Sequence, residues 1–311
     1  DVLSAERESG SLRLLAAQPI RIQNWVLQKL GLRFFWLSVL VIFSLIIIFF
    51  AVGLNPFTEV TAFFGLLALI ISYMLFWFAL AFLINLWIGT SAKNAVALLG
   101  LWVVFVLLAP SMLNQLGNTL YPMPSRTLMI NEMRNLKAEV TEKQDEILDN
   151  FLRDHPEYAI NDTTQYRGFY HRYMASQKLV KEELSPVVEE YEGQLQKQQQ
   201  WIGIFKWVSP AIIVQESLNT MAGTSTKDYE SFRNQVVVFA SDWREHFMPF
   251  LYNNQNFSQK DYPNLPDFQY KQGSFAIFGV IPVLLLISIG LFGLGIAVSR
   301  SIKKGNILTA D

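Results

Sequence analysis

Four apolar stretches, at residues 34–54, 60–88, 95–113 and 275–298, constrain this chain more than any motif does. The hydrocarbon core of a bilayer is about 30 Å thick, so about 20 consecutive apolar residues in a helix cross it. Lipid offers no partner to backbone N–H and C=O groups, which leaves the α-helix as the form for isolated spans of this length. Composition agrees: 51% of the 311 residues are hydrophobic and only 16% are charged, with a mean hydropathy of +0.26. The fold class expected is an all-α integral membrane protein with four transmembrane helices in this stretch of chain. Asn85 and Trp87 close the second span as residues of an interface would. The fourth span carries Gly290, Gly293 and Gly295, read as a face for close helix packing, with glycines that tune helix flexibility as the other reading.

Orientation follows from the positive charges in the short connections, which favour the cytoplasm. Arg7, Arg13, Arg21, Lys29 and Arg33 precede the first span, Lys93 follows the second, and Arg300, Lys303 and Lys304 follow the fourth. The connection Asn-Pro-Phe-Thr-Glu at 55–59 has none. The expected organisation is therefore a cytoplasmic segment at 1–33, three spans within 34–117, an extracytoplasmic domain at 118–272, the last span at 273–299 and a cytoplasmic tail at 300–311.

The outer segment holds most of the charge. Met129, Met133, Leu136, Val140, Ile147 and Phe151 recur at three- and four-residue spacings, one face of a helix. Tyr166, Tyr170, Tyr173, Val180, Leu184, Val188, Tyr191 and Leu195 repeat the pattern, so the two runs, joined by a turn at 154–164, predict an antiparallel helical hairpin. Pro186 lacks the backbone donor and predicts a kink or break in the second run. A further helix should start at Pro210 and stop at Gly223, and a last outer helix should run over about 227–251.

Catalytic signals are weak. No G-x-x-x-x-G-K-[ST] phosphate cradle occurs, so ATP-driven work would need a partner, and no Gly-x-Ser-x-Gly element is present. His155, His171 and His246 lack metal-ligand spacing and the chain has no cysteine, which favours exposed or structural histidines over a metal site. Glu182, Glu183, Glu189 and Glu190 read as the solvated face of a long helix. No charged residue stands at the centre of a span, against a proton-coupled pump or a charged-ring channel. A formal net charge of −1 gives no basic footprint for nucleic acid.

The stretch before the first span is divided by Gly10 and Pro19. A short helix holds Leu12, Leu14 and Leu15 with Arg13 among them. After Pro19 a second, amphipathic helix sets Ile20, Ile22, Trp25, Val26 and Leu30 against Arg21, Gln23, Gln28 and Lys29, a pattern suited to the cytoplasmic membrane interface.

In that stretch Glu6, Arg7, Gly10, Ser11, Leu12, Leu15 and Pro19, followed by the basic residues Arg21 and Lys29, resemble the E-R-x-x-G-[ST]-L-x-x-L-L-x-x-P-[LIV]-x-R signature of type-2 ABC exporter permeases (ABC-2 type), which this chain resembles. Trp207, Ser209, Pro210, Ala211, Leu218, Ala222, Gly223 and Thr224, followed by Leu-Pro-Asp-Phe-Gln-Tyr at 265–270, resemble a branch of these permeases with a large external helical insert (DUF3526-like). The resemblance implies that the short helix is a coupling helix touching a partner ATPase, with Glu6, Arg7, Gly10, Leu12, Arg13, Leu14, Leu15 and Pro19 as its docking residues. It implies six membrane helices in a complete subunit, two of them before Asp1. It also implies two ATPase subunits that bind ATP and Mg, a second permease copy, identical or not, and residence in a bacterial inner membrane with a periplasmic domain that meets a partner. No cofactor is expected on this chain itself. Two other classes remain: a mechanotransmitter whose outer helices move with no substrate crossing, and a membrane scaffold without an ATPase.

Overall fold

The computed structural model describes residues 22–88, 90–156, 168–252, 257–271 and 279–301, and no strand occurs among them. The protein is an all-α membrane protein. Its chain divides into two compact units: Asp1–Leu113, Phe205–Ser225 and Ser274–Asp311 form the first, Asn114–Ile204 and Thr226–Gly273 the second.

The first unit contains the apolar helices, the third of them as far as Leu113. Helix α1 (Ile22–Ala51) and α2 (Val60–Trp87) are joined by a tight connection in which Gly53 takes φ +82°, a conformation that suits a residue without Cβ. Then α3 (Ser91–Trp102) leads through a π-helical segment (Val103–Leu108) into α4 (Ala109–Leu120), a run of 30 residues that is long and apolar enough to cross a membrane. The fourth span belongs to the last described helix, Val280–Ser301. Spans of this kind occupy Asn24–Ala51, Val60–Trp87, Ser91–Leu120 and Val280–Ser299. The second is packed most, with Leu69, Ala79 and Phe82 fully buried. The expected interfacial helix is not a separate element: α1 runs without interruption from Ile22 through Arg33 into the apolar stretch. Gly31 is the one weak helix former between them, and Val26 and Leu30 gain more by packing on Phe82 and Leu86 than by lying in a headgroup layer.

The second unit is built from α5 (Arg126–Glu142), α6 (Gln144–Asp154), α7 (Phe169–Phe205) and α9 (Thr226–Tyr252), with α8 (Pro210–Met221) belonging to the first unit. The first arm of the hairpin is broken at Lys143, whose φ −102° and ψ 17° leave the helical region. Leu148 and Phe151 of α6, Ala175 of α7, and Met248 and Tyr252 of α9 form one core cluster. A third helix thus closes the two-armed arrangement. Val140 and Val180 are buried as the heptad pattern predicts, whereas Tyr170 and Tyr173 are exposed. Their turn of α7 instead buries His171, Ala175 and Ser176. Small side chains permit the close approach there, and the tyrosines pair with Phe169 on the outer face. Tyr166 lies outside the described residues. Helix α7 continues unbroken through Pro186, and the glutamates at 182, 183, 189 and 190 are exposed.

Polar contacts fasten α7 within its unit. Arg233 of α9 pairs with Glu192 at 2.6 Å, Arg172 pairs with Asp145 of α6 at 2.8 Å, and Gln198 donates to the Tyr121 carbonyl at 2.6 Å. The extended stretch before the last span is held to α9 by hydrogen bonds and ring contacts. Gln235 donates through Nε2 to the Lys271 carbonyl and accepts through Oε1 from the Lys271 N–H, each at 2.9 Å. Phe268 and Tyr270 stack at their edges on Phe232, and Phe268 also meets Phe239.

His171 is structural. Its Nε2 donates to the Leu251 carbonyl at 3.1 Å, and the Tyr252 hydroxyl donates to the His171 carbonyl at 3.2 Å, so the two residues join α7 to the end of α9. Burial holds its pKa below the ordinary histidine range, against the smaller, opposite pull of the Leu251 carbonyl. In the unfolded chain the imidazole takes up a proton near pH 6.5, earlier on acidification than in the folded chain. The folded state therefore has its full share of stability above that pH and loses it as pH falls toward the lowered value. Melting of the full chain at pH 7.5 and pH 5.5 should show this loss, and His171→Gln should flatten the difference. An equal pH dependence in the variant would count against the assignment.

Candidate functional site

The described part of the chain that follows residues 6–21 is one end of the first unit, where the first turns of α1 meet the end of α2 and the last turns of α10 (Val280–Ser301). Glu6, Arg7, Gly10, Leu12, Arg13, Leu14, Leu15, Pro19 and Arg21 themselves lie outside the described residues. Trp25 and Lys29 are one helical turn apart on α1, and the ammonium stands 4.1 Å from the centre of the indole ring. That contact keeps the lysine stem along the helix while its charge stays at the rim.

Beneath this rim lies an aromatic and aliphatic cluster. Val26, Leu30, Phe82 and Leu86 are buried, with Trp25, Leu27, Phe78, Phe292 and Ile296 against them. Phe82 sits in a slot made by α10: its ring centre is 5.5 Å from that of Phe292, and a Cβ at position 295 would stand 2.7 and 2.8 Å from two of its ring carbons. Only hydrogen at Gly295 admits the ring. The three glycines of the last span are thus unequal, for Gly290 and Gly293 have open space where a Cβ would stand.

Asn85 is not an interfacial residue. It is 1% exposed, its Nδ2 donates to the Ala81 carbonyl at 2.7 Å, and its Oδ1 accepts from Asn94 Nδ2 of α3 at 2.8 Å. Because the backbone carbonyl takes the Asn85 amide hydrogen, the Asn85 oxygen is left for Asn94, which fixes both amide orientations. The pair clamps the turn between the second and third spans. Trp87, by contrast, is 73% exposed. The two asparagines are nine positions apart across a helix turn, a spacing without periodicity, so sequence reading passed over the pair; two lone amides at the ends of apolar runs were the available signal.

Further along the unit, α8 is a helix of 12 residues, about 18 Å long and so too short to cross a bilayer. It starts and stops where expected. Ser209 occupies the N-cap with Pro210 behind it, and Gly223 takes φ +66° just past the end, where Thr224 N–H bonds the Asn219 carbonyl at 2.8 Å. Ile213 of α8 is buried with Leu69 of α2 and Leu284 of α10. At its approach Lys206 pairs with Glu216 at 3.0 Å.

His155 and His246 rest against aromatic rings, with Phe151 4.7 Å and Phe247 5.3 Å away. Among the described residues no group of three His, Cys, Asp or Glu side chains could hold a metal ion.

Residues 126–271 match a family model described as a domain of unknown function, DUF3526. The match covers the outer segment and less than half of the chain. No curated protein matches the chain, and no solved structure does.

Proposed function

We propose that the protein is the membrane subunit of a type-2 ABC exporter, a permease that couples ATP hydrolysis by a partner ATPase to substrate export by alternating access. The observation that carries this reading is the continuity of α1. The coupling signature ends at Arg21, and a single helix begins at Ile22 and runs to Ala51. A displacement of the docking segment would reach the membrane core through that rod. Val26 and Leu30 would pass it to Phe82 and Leu86, and these to Phe292 and Ile296 of the last span. Packed side chains rearrange between discrete arrangements and do not flow, so such a push moves helices as bodies.

In this reading Leu12, Leu14 and Leu15 enter an apolar groove on the ATPase, while Glu6, Arg7 and Arg13 set register through ion pairs at the rim. ATP and Mg bind the ATPase. A second permease copy completes the pathway, and the subunit resides in a bacterial inner membrane with residues 118–272 outside. The test is co-purification of the ATPase with the chain carrying Leu14→Asp and Leu15→Asp. Two buried charges in the groove should abolish capture, and undiminished capture would sink the proposal.

The 37 residues of α7 support a second reading, mechanotransmission. A stiff outer element can deliver movement to a partner with no substrate crossing. ATP-dependent flux in liposomes, compared between the intact chain and one lacking residues 126–200, separates the two. Flux in either form supports export, while ATP hydrolysis without flux supports the mechanical role.

A further inference from the structure

The third span contains a carbonyl that its own helix cannot satisfy. In the π-helical segment the Ala109 N–H reaches back five residues to the Val104 carbonyl. An α-helical Phe105 carbonyl would accept from that same Ala109 N–H, now engaged elsewhere. Its π-type partner would be residue 110, which is Pro110 and has no N–H. Phe105 is therefore orphaned by sequence, within a segment whose neighbours Val104, Leu107 and Leu108 are exposed as lipid-facing residues are. Hydrocarbon supplies no donor to such a group.

The donor comes from 104 residues away. Ser209, 0% exposed, donates its hydroxyl to the Phe105 carbonyl at 2.5 Å. The same oxygen accepts, at 3.4 Å, from the Ile212 N–H in the first turn of α8. One hydroxyl thus closes both the widened turn of the third span and the start of α8. Phe105 also meets Phe76 of α2 edge-on at 6.1 Å, and α8 carries Ile213 between Leu69 and Leu284.

We propose that Ser209 is a latch that makes the third span and α8 one mechanical body, so that movement of the third span reaches the second and fourth spans through α8. Ser209 is a positioning residue in this scheme: it acts through the Phe105 carbonyl and touches no substrate. The latch follows from helix geometry and does not depend on the export reading, so its failure would leave that reading standing.

The variants are Ser209→Ala, Ser209→Thr, Pro110→Ala and the pair Ser209→Ala with Pro110→Ala, all in the full chain in nanodiscs. Two readouts are needed, melting and the distance between spin labels at Leu107→Cys and Gln215→Cys; the chain has no native cysteine to interfere. Ser209→Ala should shift the folding equilibrium roughly tenfold, with Ser209→Thr near the parent. In the Pro110→Ala background the restored N–H lets the third span satisfy its own carbonyls, so Ser209→Ala should there cost much less. The label distance should be narrow in the parent and in Ser209→Thr, and broad in both proteins lacking the hydroxyl, because Pro110→Ala repairs the span without reconnecting it. An equal melting loss in both backgrounds would mean that Ser209 merely caps α8. That result, or a narrow distance without the hydroxyl, would overturn the latch.

Discussion

Gly295→Leu should leave the membrane bundle unable to close. Any side chain at 295 places its Cβ 2.7 and 2.8 Å from the Phe82 ring and 3.6 Å from the Leu83 Cα. The ring has little freedom to retreat, since Phe82 is fully buried among Val26, Leu30 and Leu86. Even Gly295→Ala demands that α2 and α10 move apart, and overpacking of this kind costs about 1–3 kcal/mol. Leucine adds four carbons to a slot with no room for one. The same substitutions at Gly293, which faces open space, should leave melting in detergent close to the parent's. If Gly293→Ala and Gly295→Ala melt alike, the close approach of α2 and α10 is not what holds the bundle.

Tyr252→Ala should have a comparable effect on the second unit. Tyr252 is 0% exposed, its ring lies 5.0 Å from His171 and 5.7 Å from Phe151, and its hydroxyl bonds the His171 carbonyl. Removing a buried aromatic side chain costs about 3–5 kcal/mol when the cavity does not collapse. Collapse is resisted here because α6, α7 and α9 all converge on the ring. Tyr252→Phe isolates the hydroxyl and should cost about 1 kcal/mol. Limited proteolysis of the full chain gives the readout, with rapid cleavage between residues 142 and 252 in the alanine variant and near-parental resistance in the phenylalanine one. A resistant alanine variant would show that the core is centred elsewhere.

The spans were legible because lipid imposes a length and a composition that few other structures share. Pro210 and Gly223 were legible for a local reason: one lacks a donor at a helix start and the other permits φ +66° after its end. What escaped was set by tertiary packing. The amphipathic pattern at 20–30 suits both a surface helix and a buried first turn, and only the presence of Phe82 and Leu86 decides between them. Tyrosines in heptad register promised a buried face on α7, but Ala175 and Ser176, too small to stand out in a hydrophobic pattern, take the interior. Asn85 and Asn94 find each other only once the turn between their helices is drawn. Pro110 was visible, yet its consequence for Phe105 depends on the extra residue in the turn before it.

That extra residue also acts as a phase shifter. An α-helix advances about 100° per residue, and widening the turn at Val103–Leu108 rotates everything beyond it relative to α3. Closing that turn to regular α-helix with every residue retained would swing Met112 and Leu113 by about 100° relative to α3, whereas deleting one residue, such as Val106, together with the wide turn would leave them close to their present bearing. The span is keyed like a two-part shaft, and the angle between its halves is written in a single inserted residue.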